Sequence, residues 1–155
     1  MLVQQSWKAY TIIICLMAYL VIAPPAASPV SAGMPMLKAQ DCGDFLAKTH
    51  KTPANVNYVE CRYLPDRQGK PLQATYSVSG KDAADAEAHL IKSVGLGKLR
   101  RVCCQWESKP ARFKDRAGAD YTISMYSGET MISSRTDWHD IPRFEILVET
   151  FTEEI

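Results

Sequence analysis

Leu72-Gln73-Ala74-Thr75-Tyr76-Ser77-Val78-Ser79, followed closely by Ala83-Ala84-Asp85-Ala86-Glu87-Ala88-His89-Leu90-Ile91-Lys92-Ser93-Val94-Gly95, is the stretch that decides the fold. In the first part apolar side chains fall at Leu72, Ala74, Tyr76 and Val78. Alternation of this kind gives a strand with one face to bury. In the second part Ala83, Ala86, Leu90, Ile91 and Val94 recur at helical spacing, with Asp82 or Ser79 to start the helix and Gly95 to end it. A strand and a helix with one apolar face each bury those faces against one another, which predicts an α+β layer. Glu87 falls inside the helical stripe, so its carboxylate has to reach water or find a partner.

Working outward, residues 56–64 are rich in β-formers, and Pro65-Asp66-Arg67-Gln68-Gly69-Lys70 reads as a turn into the strand at 72–79. Before them, Asp41 reads as a helix N-cap with Asp44 in the capping position, and a short helix is expected over 42–49. After Gly95, residues 99–106 read as a strand, 110–119 as a polar turn, 121–126 as an alternating strand and 144–151 as the last strand. The predicted order is αββαβββ, with one antiparallel sheet of about five strands and two helices on one face. A permuted ferredoxin-like arrangement is compatible with that order.

The first 32 residues carry a compartment signal. Lys8 precedes the apolar run Ala9–Ala23, and Val30-Ser31-Ala32 has the small-x-small form of a cleavage site before Gly33. The run is about 15 residues, short of the roughly 20 that span a bilayer. The expectation is a signal peptide over 1–32 and a single secreted α+β domain over 33–155, periplasmic or released. Neither Cys15 nor Cys42 follows a lipoprotein-like triplet, so no stable membrane anchor is expected after cleavage.

The whole chain has 18 Lys+Arg against 17 Asp+Glu, and Lys8 is the one charge within the leader. The remainder is formally neutral, which argues against nucleic acid as a partner. Beyond Cys15 in the leader stand Cys42, Cys61, Cys103 and Cys104. An even count in an exported chain suggests two disulfides. A bridge between neighbours strains the backbone, so the favoured pairing takes Cys103 and Cys104 to Cys42 and Cys61 in some order. On a strand, however, neighbouring side chains point to opposite faces. That leaves Cys42–Cys61 with a vicinal or free pair as the alternative.

The stretches Asp41-Cys42-Gly43-Asp44-Phe45-Leu46, Val102-Cys103-Cys104-Gln105-Trp106-Glu107 and Tyr121-Thr122-Ile123-Ser124-Met125-Tyr126-Ser127, with Trp138 ahead of Ile141-Pro142, resemble a family of small secreted bacterial proteins of unknown function. Cys-Cys-x-Trp is the most distinctive part. The resemblance implies a periplasmic or secreted α+β domain and supplies no catalytic residues.

The residues themselves offer little catalytic chemistry. His50, His89 and His139 share no metal-ligand spacing, so no metal and no cofactor is expected. There is no Gly-x-Ser-x-Gly elbow and no Cys-x-x-Cys. The Asp137/Asp140 and Asp115/Asp120 pairs read as turn chemistry. The expectation is therefore not an enzyme. The best binding candidate is the loop with Arg135, Asp137, Trp138 and His139, joined by Tyr126, because Trp, Tyr and Arg dominate protein-interface anchors. The alternative is that Trp138 tucks into the sheet edge as core. The function expected is a small exported disulfide-stabilised binding protein of inhibitor or immunity type, whose partner is an exported enzyme or toxin. Two alternatives stand beside it: an envelope factor binding a wall component or small ligand, and a thiol-based or hydrolytic enzyme.

Overall fold

The computed structural model describes residues 37–153, so the predicted leader lies outside the described residues. The elements follow in the order α1 (Phe45–Lys48), β1 (Asn57–Tyr63), β2 (Pro71–Val78), α2 (Ala83–Val94), β3 (Arg100–Val102), β4 (Gln105–Glu107), β5 (Ala111–Lys114), β6 (Asp120–Glu129) and β7 (Phe144–Phe151). Short 3-10 turns at Ala39–Asp41 and Arg135–Asp140 complete the set. All strand pairs are antiparallel in one seven-stranded sheet of order β1-β2-β7-β6-β4-β3, with β5 also on β6. The α+β class holds. The strand count of about five and the permuted ferredoxin-like order are not matched in detail, because the sheet is extended beyond β6 by short strands.

Those additional strands have local causes. The single strand expected over 99–106 is a tight hairpin: Val102 pairs with Gln105, leaving Cys103 and Cys104 as a two-residue turn. Cys103 has a φ of +51°, a left-handed value that ends an extended run. The polar turn expected over 110–119 contains β5, whose one buried side chain, Phe113, gives too short an alternation to read.

The core lies on one sheet face. Leu72, Ala74, Tyr76 and Val78 of β2, Tyr121, Ile123 and Met125 of β6, and Phe144, Ile146 and Val148 of β7 are buried. Ala83, Ala86, Leu90 and Val94 of α2 and Phe45 and Leu46 of α1 are buried in the same cluster. Ile91 leaves the predicted stripe and is exposed. α2 ends as predicted at Gly95, φ +73°, where Gly95 N–H reaches Ile91 O, the 5→1 bond of an αL cap, and Leu96 N–H reaches Leu90 O. Gly80 has no room for a side chain, because an added Cβ would meet the carbonyl oxygens of Trp138 and Ile141.

The first helix is shorter than expected and its cap shifts. Asp44 is the N-cap, its Oδ1 accepting from Ala47 N at 2.9 Å, while Asp41 closes the preceding 3-10 turn. Buried Tyr76 fixes this helix to the sheet: its hydroxyl accepts from Leu46 N at 2.9 Å and donates to Asp44 Oδ1 at 3.0 Å. Burial pushes the Tyr76 phenol far above its usual range, so it stays a neutral donor.

Candidate functional site

The proposed Trp138 anchor is not on the surface. The 3-10 turn Arg135–Asp140 folds Trp138 inward to 2% exposure, with ring centroids 5.2 Å from Trp106 and 5.0 Å from Phe144. Arg135 lies over the Trp138 ring at 4.1 Å and donates to Leu99 O at 3.0 Å. It also pairs with Glu87, whose other oxygen accepts from Leu99 N at 2.6 Å. Here is the partner that the carboxylate within the helical stripe required. Arg135 is thus a structural clamp joining α2, the chain entering β3 and the 3-10 turn. His139 and Asp137 remain exposed, held locally by Thr136. Tyr126 lies on the opposite sheet face, donating to Glu145 Oε2 at 2.8 Å. The five candidate residues therefore do not form one surface, because burial of the tryptophan outweighs display of a large apolar ring.

The cysteines also depart from the favoured pairing. Cys42 and Cys61 form a disulfide, while Cys103 and Cys104 are free thiols, Cys103 exposed and Cys104 half-buried. The reason is topological: Cys61 lies on β1 and the hairpin turn follows β3, at opposite ends of the strand order. The bridge ties the middle of β1 to the segment entering α1.

β1 is the most exposed strand. Among the described residues it pairs on one side only, with β2, and it carries Tyr58 at 41%, Val59 at 55% and Tyr63 at 37% exposure. A register irregularity between Tyr58 and Glu60 sets Val59 at a bulge. The Tyr58 ring rests edge-on against Tyr76 at 5.6 Å, which holds its orientation. Beside β1, the sheet face away from the helices forms a shallow groove of about 380 Å³ whose walls include Glu60, Arg62, Thr75, Tyr126, Arg143 and Glu145. Its charges are paired, Arg62 with Glu60 at 2.5 Å and Arg143 with Glu145 at 3.0 Å. Tyr126 is pushed up to about 12, first by burial and then by its hydrogen bond to Glu145. A phenol so placed is a neutral donor at physiological pH, suited to binding rather than to proton abstraction.

A second cleft, of about 550 Å³, is lined by Lys48, His50, Lys51, Lys114, Arg116 and Asp115, among others. Its lysines serve the fold: Lys48 Nζ donates to Asp41 O at 2.7 Å, and Lys51 Nζ to Ser93 O at 3.0 Å. Asp115 holds its own turn by accepting from Ala117 N and Ala119 N, each at 2.9 Å. Among the described residues no cluster of three or more His, Cys, Asp or Glu could hold a metal ion. No described helix is long and apolar enough to cross a membrane.

Sequence reasoning did not single out β1 because an edge position is a property of strand order. The one visible signal was Tyr58-Val59 beside Tyr63, an apolar excess in a strand with no clean alternation.

No curated protein and no solved structure matches the chain. The stretch that ends at Trp106 carries α1, β1, β2, α2, β3, the start of β4 and Cys42, Cys61, Cys103 and Cys104. It does not close the sheet alone, because β7 and β6 stand between β2 and β4. What is found over residues 31–106, within that structural frame, is a DUF4952 domain, a domain of unknown function.

Proposed function

We propose that the protein is an exported, disulfide-stabilised binding protein of inhibitor or immunity type that docks through the β1 edge. The observation that carries this reading is the combination on β1 of an edge left unpaired among the described residues, three exposed large side chains and a covalent tie through Cys61. Exposed edges invite pairing with another chain, and most proteins blunt them. Here Glu60 and Arg62 neutralise one another, so they give the edge little charge protection. The occupant that fits is an extended segment of an exported enzyme or toxin. Main-chain hydrogen bonds to β1 would supply affinity, and Tyr58, Val59 and Tyr63 would supply side-chain contacts. The disulfide favours binding because a pre-ordered strand loses less entropy on association.

The test compares the wild-type chain with the double variant Tyr58→Lys, Val59→Lys. Immobilised protein is exposed to exported fractions, and complexes are measured for stoichiometry and affinity. One stoichiometric protein partner, bound about tenfold or more weakly by the variant, is expected. Equal binding by the variant would remove β1 from the proposal. A wall fragment or small ligand as the only bound species would replace the binding-protein reading with the envelope one.

A further inference from the structure

The Cys103–Cys104 turn has features that neither the fold nor the docking edge uses. On a strand the two thiols would point apart. Here they instead occupy the two positions of a turn closed by the Val102–Gln105 pair, with Cys103 in a left-handed conformation. The turn is held from outside: Thr130 N donates to Cys104 O at 2.7 Å and Trp106 N to Ser127 Oγ at 2.9 Å. Val102 and Met131, 46% and 93% exposed, flank the pair in sequence and at that contact, so the approach to the turn is open.

We propose that Cys103 and Cys104 form a reversible dithiol–disulfide couple that exchanges with the disulfides of small molecules or of partner proteins. The exposed Cys103 thiolate attacks one sulfur of a disulfide R–S–S–R, forming a mixed disulfide and releasing RS⁻. Cys104 then gives its proton to solvent, and its thiolate attacks the Cys103 sulfur, releasing the second RS⁻. The protein is oxidised by two electrons, the donor disulfide is reduced by two, and the product is a vicinal disulfide.

Two physical arguments support the direction and the reversibility. The hydrogen bond with Cys103 is the first cause that holds the Cys104 thiol above its usual range, with desolvation and nearby charge adding to it. Cys104 is therefore suited to the second, resolving step, beside an accessible attacking thiol. A bond between neighbours closes no chain loop, so it gains none of the entropic stabilisation that a long-range bridge has. Strained, exposed disulfides are the easily reduced ones.

The test equilibrates the purified chain, with its Cys42–Cys61 bridge formed, in mixtures of reduced and oxidised glutathione. Thiols are trapped by alkylation and located by peptide mass, and tryptophan emission is followed in parallel through Trp106, two residues from Cys104. The expected result is a joint two-electron transition at Cys103 and Cys104. It should be reversed at a reduced-glutathione concentration about tenfold or more below that which opens Cys42–Cys61. Cys104→Ser should stop the reaction at a mixed disulfide on Cys103. Separate glutathione adducts on both wild-type cysteines, a bridge between two chains, or thiols that stay reduced throughout would each overturn the proposal.

Discussion

The two edges of the sheet each carry a pair of cysteines, and the pairs have opposite fates. At the β1 edge Cys61 reaches back to Cys42 across a sequence separation of 19. At the β3 edge Cys103 and Cys104 occupy a hairpin turn as free thiols. A bridge of the first kind removes loop entropy from the unfolded chain and contributes about 3 kcal/mol. A bond of the second kind has no loop to restrict. Non-covalent contacts hold the second edge instead: the Glu87–Arg135 pair, the Arg135–Trp138 stack and the Trp106 indole donating to Ile132 O at 2.9 Å. One edge is fastened covalently and presents apolar side chains. The other is fastened by charge and aromatic packing and leaves its sulfur free to react.

The largest expected effect falls on the non-covalent edge. Glu87→Ala leaves Leu99 N without its acceptor and Arg135 without its counter-charge, and should lower unfolding free energy by about 3–4 kcal/mol in urea titrations. Part of Arg135 reaches solvent, which keeps the loss from being larger. Replacing both Cys42 and Cys61 with Ser should cost about 3 kcal/mol by the same measurement. If this second loss proves negligible, the covalent account of the β1 edge is wrong. Tyr76→Phe removes the hydroxyl that joins α1 to β2 and should cost about 1–2 kcal/mol.

A pH titration sharpens the same contrast at the sheet's middle. Tyr121 and Tyr126 are both pushed up to about 12 from an ordinary 10.0, by burial first and then by Asp115 or Glu145. The unfolded phenols ionise before the folded ones. Their contribution is therefore fully present below about pH 10 and lost as pH rises toward about 12. Stability should fall across that window, and Tyr126→Phe should shallow the fall. The smallest effect belongs to Cys103→Ser with Cys104→Ser, which should change stability by less than about 0.5 kcal/mol under reducing conditions, because neither thiol is a core group.

What was legible in the sequence follows from the range of each interaction. The β2 strand and the α2 helix were legible because period and cap are local, as at Leu72, Ala74, Tyr76 and Val78, and at Gly95. The partner of Glu87 was not, since Arg135 stands 48 residues away. Trp138 read as a surface anchor because its neighbours Asp137, His139 and Asp140 are polar, yet the rings that bury it, Trp106 of β4 and Phe144 of β7, belong to other elements. The favoured cysteine pairing failed for a similar reason, and the alternative, Cys42–Cys61 with a free pair, is the one present. A two-residue turn with Cys103 in a left-handed conformation converted a strand into a hairpin and separated two thiols from their expected partners.

The central claim, that cysteine chemistry is divided between the edges, is tested most directly by peptide mapping of the unreduced protein. The account predicts a linked pair of peptides containing Cys42 and Cys61, with Cys103 and Cys104 together on one peptide joined to neither. A fragment linking Cys103 or Cys104 to Cys42 or Cys61 would contradict it.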